Sequence, residues 1–277
     1  MRALIVALLL ASPLHAQTKI FRDDFAGTSG PVNAAVWQGE GHAQGSGQFT
    51  GAGEKNGNGK AVLAVTNPHP DDAETFAQQV MRTKRTFLPQ PGETLIFRTR
   101  LAMPHDQSGL VHSIFLYSSF MDGSTLRSNE IDFEWMTNQT AGSTKDKVLL
   151  TTWVDWNNNA DTYNVVGSPL YGTHAALNPP NRGDAGEFAV YEIEWSLKRV
   201  AWYKVSPKGK RQLLGERKGR AYAPQRPMHL YFNTWVPGPG WVEAFDPSLV
   251  PSVGQAPVRW RMVVDWVEVL RRKDKQG

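Results

Sequence analysis

The segment Asn129–Met136 reads NEIDFEWM and places Glu130, Asp132 and Glu134 at i, i+2 and i+4. On a β-strand that period projects all three carboxylates from one face and Ile131, Phe133 and Trp135 from the other. The apolar trio reads as a core face. Three like charges side by side repel one another, and almost any polar residues would serve a structural role, so the acidic trio points to chemistry. At roughly 3.3 Å per residue the Cα atoms of Glu130 and Glu134 stand about 13 Å apart. Two glutamates leaning over the shorter aspartate bring their carboxyl groups to about 5–6 Å, close to the roughly 5–5.5 Å at which retaining glycosidases hold nucleophile and acid/base. Inverting enzymes need more room, for a water. Two other readings stay open here: a solvated acidic face on a surface strand, and a cation site, which needs more oxygen ligands than one strand offers.

The surrounding chain supplies a scaffold of strands. Alternating segments rich in β-branched and aromatic residues, bounded by Gly, Pro, Asn and Asp, predict strands over Glu93–Met103, Leu110–Ser118, Asn129–Met136, Lys147–Trp156, Ala189–Ser196, Arg199–Val205, Met228–Trp235 and Trp260–Leu270. Sustained helical spacing is scarce, and neither a repeat nor an interdomain linker stands out. These features predict an all-β fold: one concave β-jelly-roll sandwich of two antiparallel sheets. Parity within the strands puts Arg98 and Arg100 opposite Leu95, Phe97 and Leu101, and Phe115 and Tyr117 opposite Ile114 and Leu116. It likewise puts Trp153 opposite Val148, Leu150 and Val154, and Asn233 and Trp235 opposite Met228, Leu230 and Phe232. Each strand thus has an apolar face and a second face of aromatic, Arg or Asn side chains, the equipment of a polysaccharide cleft. Residues 39–60 hold eight Gly but no phosphate-cradle register, and are expected to form a flexible turn region. Residues 157–187 and 236–257 read as long loops.

Composition narrows the function classes. The 277 residues include no Cys, which excludes disulfides, thiolate metal sites and a cysteine nucleophile. Residues 1–16, MRALIVALLLASPLHA, resemble a secretory signal peptide with cleavage expected after Ala16, and their apolar run is too short for a membrane span. The net charge of +4 lies in this leader and in an expected solvated tail over 271–277, RRKDKQG; residues 17–270 carry 25 basic and 25 acidic groups. Nucleic-acid binding therefore rests on the tail alone. Neither H-E-x-x-H nor G-x-S-x-G occurs, which argues against a zinc protease and a serine hydrolase.

NEIDFEWM above all makes the chain similar to glycoside hydrolase family 16, the concave jelly-roll endoglycanases and transglycosylases. The resemblance extends from FRDDF and Trp37 through GKAVLAV, RTRLAM, YEIEW, VAWYKV and LYFNTW to MVVDWVEV. It implies Glu130 as nucleophile, Asp132 as the residue that tunes the pair and Glu134 as general acid/base. Arg98, Arg100, Phe115, Tyr117, Trp153, Asn233 and Trp235 resemble cleft positions. Asp265, with backbone carbonyls near Asp24 and Gly59, resembles a structural calcium site; no cofactor is implied for the chemistry itself. The regular E-x-D-x-E ladder resembles the lichenase and xyloglucan- or yeast cell-wall-transglycosylase branch, whereas laminarinases, agarases and carrageenases resemble E-x-D-x-x-E. Ser128 departs from the Trp usual in lichenases, and 157–187 is a longer connection than theirs. The expectation is a secreted, monomeric, retaining endo-β-glucanase acting on β-1,3-1,4-glucan or a related polysaccharide, without nucleic-acid or membrane partners. An endo-transglycosylase and a non-catalytic carbohydrate-binding jelly roll are the alternatives, the latter expected to lack one ladder glutamate.

Overall fold

The computed structural model describes residues 17–67, 75–103, 107–140, 147–157, 173–176, 188–251 and 258–274. The expected leader at 1–16 and most of the 157–187 connection lie outside the described residues. Two sheets pack face to face, as the alternating strands require. The cleft sheet runs in spatial order through Trp37–Gly39, the second half of Phe76–Thr83, His229–Trp235, Val111–Asp122, Thr125–Met136, Lys147–Asn157 and Thr173–Ala176. In the outer sheet, Gln17–Asp23 and Ala61–Asn67 lie along one edge of Val258–Lys273. The other edge leads through Glu93–Ala102, Ala189–Ser196 and Arg199–Val205 to Arg211–Lys218. These pairings are antiparallel, and a single helical turn, Thr137–Thr140, follows the ladder strand. Among the described residues no helix is long and apolar enough to cross a membrane.

The apolar side of the ladder strand anchors the site. Ile131, Phe133 and Trp135 are fully buried. Phe133 and Trp135 stack with ring centroids 4.5 Å apart, and Tyr191 of the outer sheet meets both edge-on at 5.1 and 4.8 Å. Truncating a buried aromatic such as Phe133 to Ala costs about 3–5 kcal/mol, so the core grips the strand that carries the carboxylates.

One boundary differs from expectation. The last strand passes Leu270 and continues to Lys273. Arg272 Nη1 lies 2.8 Å from Glu194 Oε1, and Thr94 Oγ1 donates to Asp274 Oδ1 at 2.7 Å. Residues 271–273 are therefore part of the sheet, although Arg271 and Lys273 keep exposed side chains; Arg272 reaches past Glu93–Ala102 to the buried Glu194 on the strand beyond.

Candidate active site

The ladder strand is unbroken where the chemistry would lie. Glu130, Asp132 and Glu134 stand opposite Tyr117, Phe115 and Ser113 on one side and opposite Trp153, Thr151 and Leu149 on the other. No register shift falls between Glu130 and Glu134, so all three carboxylates share the cleft face. Together they line a cleft of about 600 Å³ that runs across the sheet.

Their environment makes ionisation costly. Burial raises the Glu130 carboxyl well above the usual range, and the charges of Asp132 and Glu134 push it further the same way. Asp132, 4% exposed, is pushed up to about 7 by burial, against hydrogen bonds with Thr151, Glu130 and Trp153 that favour its charged form. Burial and then the Asp132 charge raise Glu134, opposed by Ser113, whose Oγ lies 3.4 Å from Glu134 Oε1. Three crowded carboxyl groups with raised proton affinity keep at least one proton between them near neutral pH. A held proton beside an ionisable partner is the equipment of acid/base chemistry.

Phe115, Tyr117, Asn233 and Trp235 line the same cleft, where parity places them. Trp153 stands opposite Glu130 and bonds Asp132. Phe115 stacks on Tyr231 at 4.7 Å and Tyr117 meets it edge-on at 6.0 Å. Among the lining residues that escape the sequence reading are Glu40, His42, Arg82, Trp156, His229 and Tyr231. His229 and Tyr231 share parity with Asn233 and Trp235, so the alternation of HLYFNTW holds the signal for them. Glu40 and His42 lack any periodic signal, because 39–60 forms strands of only two or three residues. The first half of that region, from Glu40 to Phe49, is a wall of the cleft, a correction to the flexible turn expected from its glycines, while Glu54–Lys55 joins the outer sheet. Gly45 shows why glycine is needed there: φ is +60°, and a Cβ would lie 2.2 Å from the Val236 carbonyl oxygen. Within the wall, Glu40 contacts Arg82 Nε at 3.0 Å and accepts from Tyr231 Oη at 3.1 Å. His229 Nδ1 lies 2.7 Å from the Thr83 carbonyl, which can only accept; Nε2 is then the acceptor for Arg82 Nη1 at 3.2 Å.

Arg98 and Arg100 are not in the cleft. Parity correctly sets them opposite the core side chains of their strand, but Glu93–Ala102 belongs to the outer sheet, whose second face looks away from the site. Arg98 bonds Glu192 at 2.6 Å and Glu268 at 3.3 Å. Arg211 joins Glu192 and Glu194, and Arg199 and Arg272 also reach Glu194. Arg100 bonds Asp265, whose other oxygen lies 3.6 Å from Lys60 Nζ. Gly59 does adjoin the Asp24 carbonyl: a Cβ added to that glycine would lie 3.5 Å from the oxygen. With a guanidinium and an ammonium on its single carboxylate, however, this group does not suit a calcium ion, which takes about 6–8 oxygen ligands. Among the described residues no cluster of three or more His, Asp or Glu could hold a metal.

The sequence profile of glycosyl hydrolases family 16 matches residues 96–267, more than half of the chain. No curated relative matches by sequence. Among solved structures, the fold is similar to the endo-1,3-β-glucanase of Streptomyces sioyaensis, with TM-score 0.66, 18% identity, and coverage of 95% of this chain and 99% of that one. It is similar to a Bacillus licheniformis β-glucanase at TM-score 0.60 and 19% identity, over 90% and 96% of the two chains. The κ-carrageenase of Pseudoalteromonas carrageenovora, in complex with an oligotetrasaccharide of κ-carrageenan, gives TM-score 0.63 and 19% identity over 95% and 98%. The jelly roll, the shared cleft face of the three carboxylates and the profile match converge: this chain belongs to glycosyl hydrolases family 16.

Proposed function

We propose that the protein is an exported, retaining endo-β-glucanase that cleaves β-1,3-1,4-glucan or a related neutral β-glucan. The observation that carries the reading is the unbroken Glu130, Asp132, Glu134 ladder on the cleft face. Glu134, holding its proton through burial and the Asp132 charge, protonates the glycosidic oxygen as Glu130 attacks the anomeric carbon. The leaving chain departs with that proton, and a glycosyl ester forms on Glu130. Glu134, now a carboxylate, takes a proton from water, whose oxygen attacks the same carbon and restores Glu130. Asp132 raises the proton affinity of both glutamates, through its charge on Glu134 and through its charge and hydrogen bond on Glu130, so it favours a proton retained on the pair, the one Glu134 delivers.

The cleft's charge supports a neutral glycan. Arg82 is the only Arg or Lys among the described lining residues, and Glu40 and His229 already engage it. A sulfated or uronic chain would meet four lining carboxylates and no unengaged cation. Release of reducing ends from barley β-glucan, laminarin, xyloglucan and agarose tests the substrate, and a labelled oligosaccharide acceptor separates hydrolysis from transglycosylation. Glu130→Gln is expected to abolish hydrolysis with an unchanged circular dichroism spectrum; retained activity would remove Glu130 from the nucleophile's role.

A further inference from the structure

Trp153 and Trp156 are three residues apart, a spacing that sends two side chains of a regular strand to opposite faces. Their rings nevertheless lie side by side, with centroids 5.0 Å apart and planes inclined by 40°. The cause is an extra residue. Glu130 pairs with Trp153 and Ser128 with Trp156, so two steps along the ladder strand face three along its neighbour, which makes a β-bulge. Asp155 sits in it at φ +50°, the left-handed region that aspartate tolerates better than most side chains but enters only when held there.

Asn129 does the holding. Its Nδ2 donates to Asp155 Oδ1 at 3.1 Å, and its Oδ1 accepts from the Asp155 backbone N–H at 3.1 Å. Arg127 Nη1 donates to the Asp155 carbonyl at 3.1 Å. Asn129 is fully buried and immediately precedes Glu130. The bulge is thus fastened to the ladder strand at the first carboxylate. Both indoles stay half-buried, and Trp156 lines the cleft with Glu130; a pair serving only to fill the core would be covered.

We propose that the bulge is a positioning device: the lock between Asn129 and Asp155 turns Trp156 onto the cleft face beside Trp153, where the two indoles form a shelf for a pyranose ring next to Glu130. Trp156 is the contact; Asn129 and Asp155 act through it. The proposal rests on the cleft being a glycan site. The apolar C–H face of a β-linked pyranose packs on an indole while its hydroxyls stay free at the rim.

Far-ultraviolet circular dichroism and kinetics on barley β-glucan test the proposal together. Two indoles this close couple, and so do Trp235 and Trp241 with centroids 5.7 Å apart; the spectra are therefore read in a Trp241→Phe background, where the protein should show an exciton couplet that Trp156→Ala abolishes. With the bulge intact, Trp156→Ala is expected to raise KM about tenfold and change kcat by less than about threefold, the pattern of lost binding rather than lost chemistry. Asp155→Val, whose branched side chain resists positive φ, should lose the couplet and raise KM by a similar factor, whereas Asp155→Asn should keep both near native values. If Asp155→Val does not fold, Asn129→Ala removes the lock from the other side and should behave the same way. An unchanged KM in Trp156→Ala, or a couplet that survives loss of the lock, overturns the proposal. A native protein that hydrolyses none of the glucans would overturn the reading of the cleft instead, and the couplets would still decide whether the bulge places the indoles.

Discussion

Asp132 lies between two glutamates and shapes the proton affinity of both. Its charge raises Glu134 after burial has already done so. In Asp132→Asn that repulsion is gone, Glu134 gives up its proton at lower pH, and the alkaline limb of the kcat/KM profile is expected to move downward. An unmoved limb would show that burial alone sets the acid. The same residue bears on stability, with a definite sign. Burial raises Asp132 from 3.8 to about 7 in the folded protein, so folding favours its neutral form. The protein is then most stable, as far as this group is concerned, below about pH 4, and stability declines as pH rises toward about 7. Each tenfold change in proton affinity corresponds to about 1.4 kcal/mol, and about 1 kcal/mol shifts Tm by roughly 2–4 °C in a chain this size. Asp132→Asn is accordingly expected to raise Tm at pH 8 by several degrees and to flatten its fall between pH 4 and 7, as differential scanning calorimetry would show. The ladder was legible in the sequence because a period of two needs only residue types. The proton affinities were not, since they depend on how deeply the neighbouring strands bury the carboxyl groups.

At the scale of elements, parity gives a side chain's face and pairing gives the sheet, and only the first can be read along a strand. Tyr117 and Arg98 both oppose apolar neighbours in their own strands, yet Tyr117 enters the cleft and Arg98 the outer ion network. Nothing within Glu93–Ala102 distinguishes the two sheets. Arg98→Met should therefore leave KM for β-glucan unchanged while lowering stability by about 2 kcal/mol, less than a fully buried pair because Arg98 is partly exposed and Arg211 still holds Glu192. Denaturant unfolding measures the loss, and a raised KM with unchanged stability would return Arg98 to the cleft. Trp156 illustrates the opposite limit. Its parity relative to Trp153 points the wrong way, because a bulge leaves no mark on the alternation of residue types. The wall from Glu40 to Phe49 was marked by glycines but not by what they deliver, since pieces of two or three residues are too short to show a period.

For the whole molecule, basic composition finds its use in the outer sheet. Arg22, Arg98, Arg199, Arg211 and Arg272 surround Glu192, Glu194 and Glu268, and Arg100 and Lys60 hold Asp265. Protein cations thus neutralise the carboxylate where the family resemblance implies calcium, so EDTA is expected to leave Tm unchanged and added calcium to raise it by no more than about 1 °C. A calcium-dependent rise of several degrees in thermal unfolding would show that the ion displaces Arg100 or Lys60. The strand that ends the described chain, Val258–Lys273, lies inside the outer sheet, with Glu93–Ala102 on one edge and Gln17–Asp23 and Ala61–Asn67 on the other. The earliest strand of that sheet consequently waits for the latest before it has a partner, and so long a loop must close before its contacts reward it. The four strands from Glu93–Ala102 to Arg211–Lys218 can pair with one another before that closure, so the outer sheet grows from the middle of the chain outward and its seam with Gln17–Asp23 is the last to form.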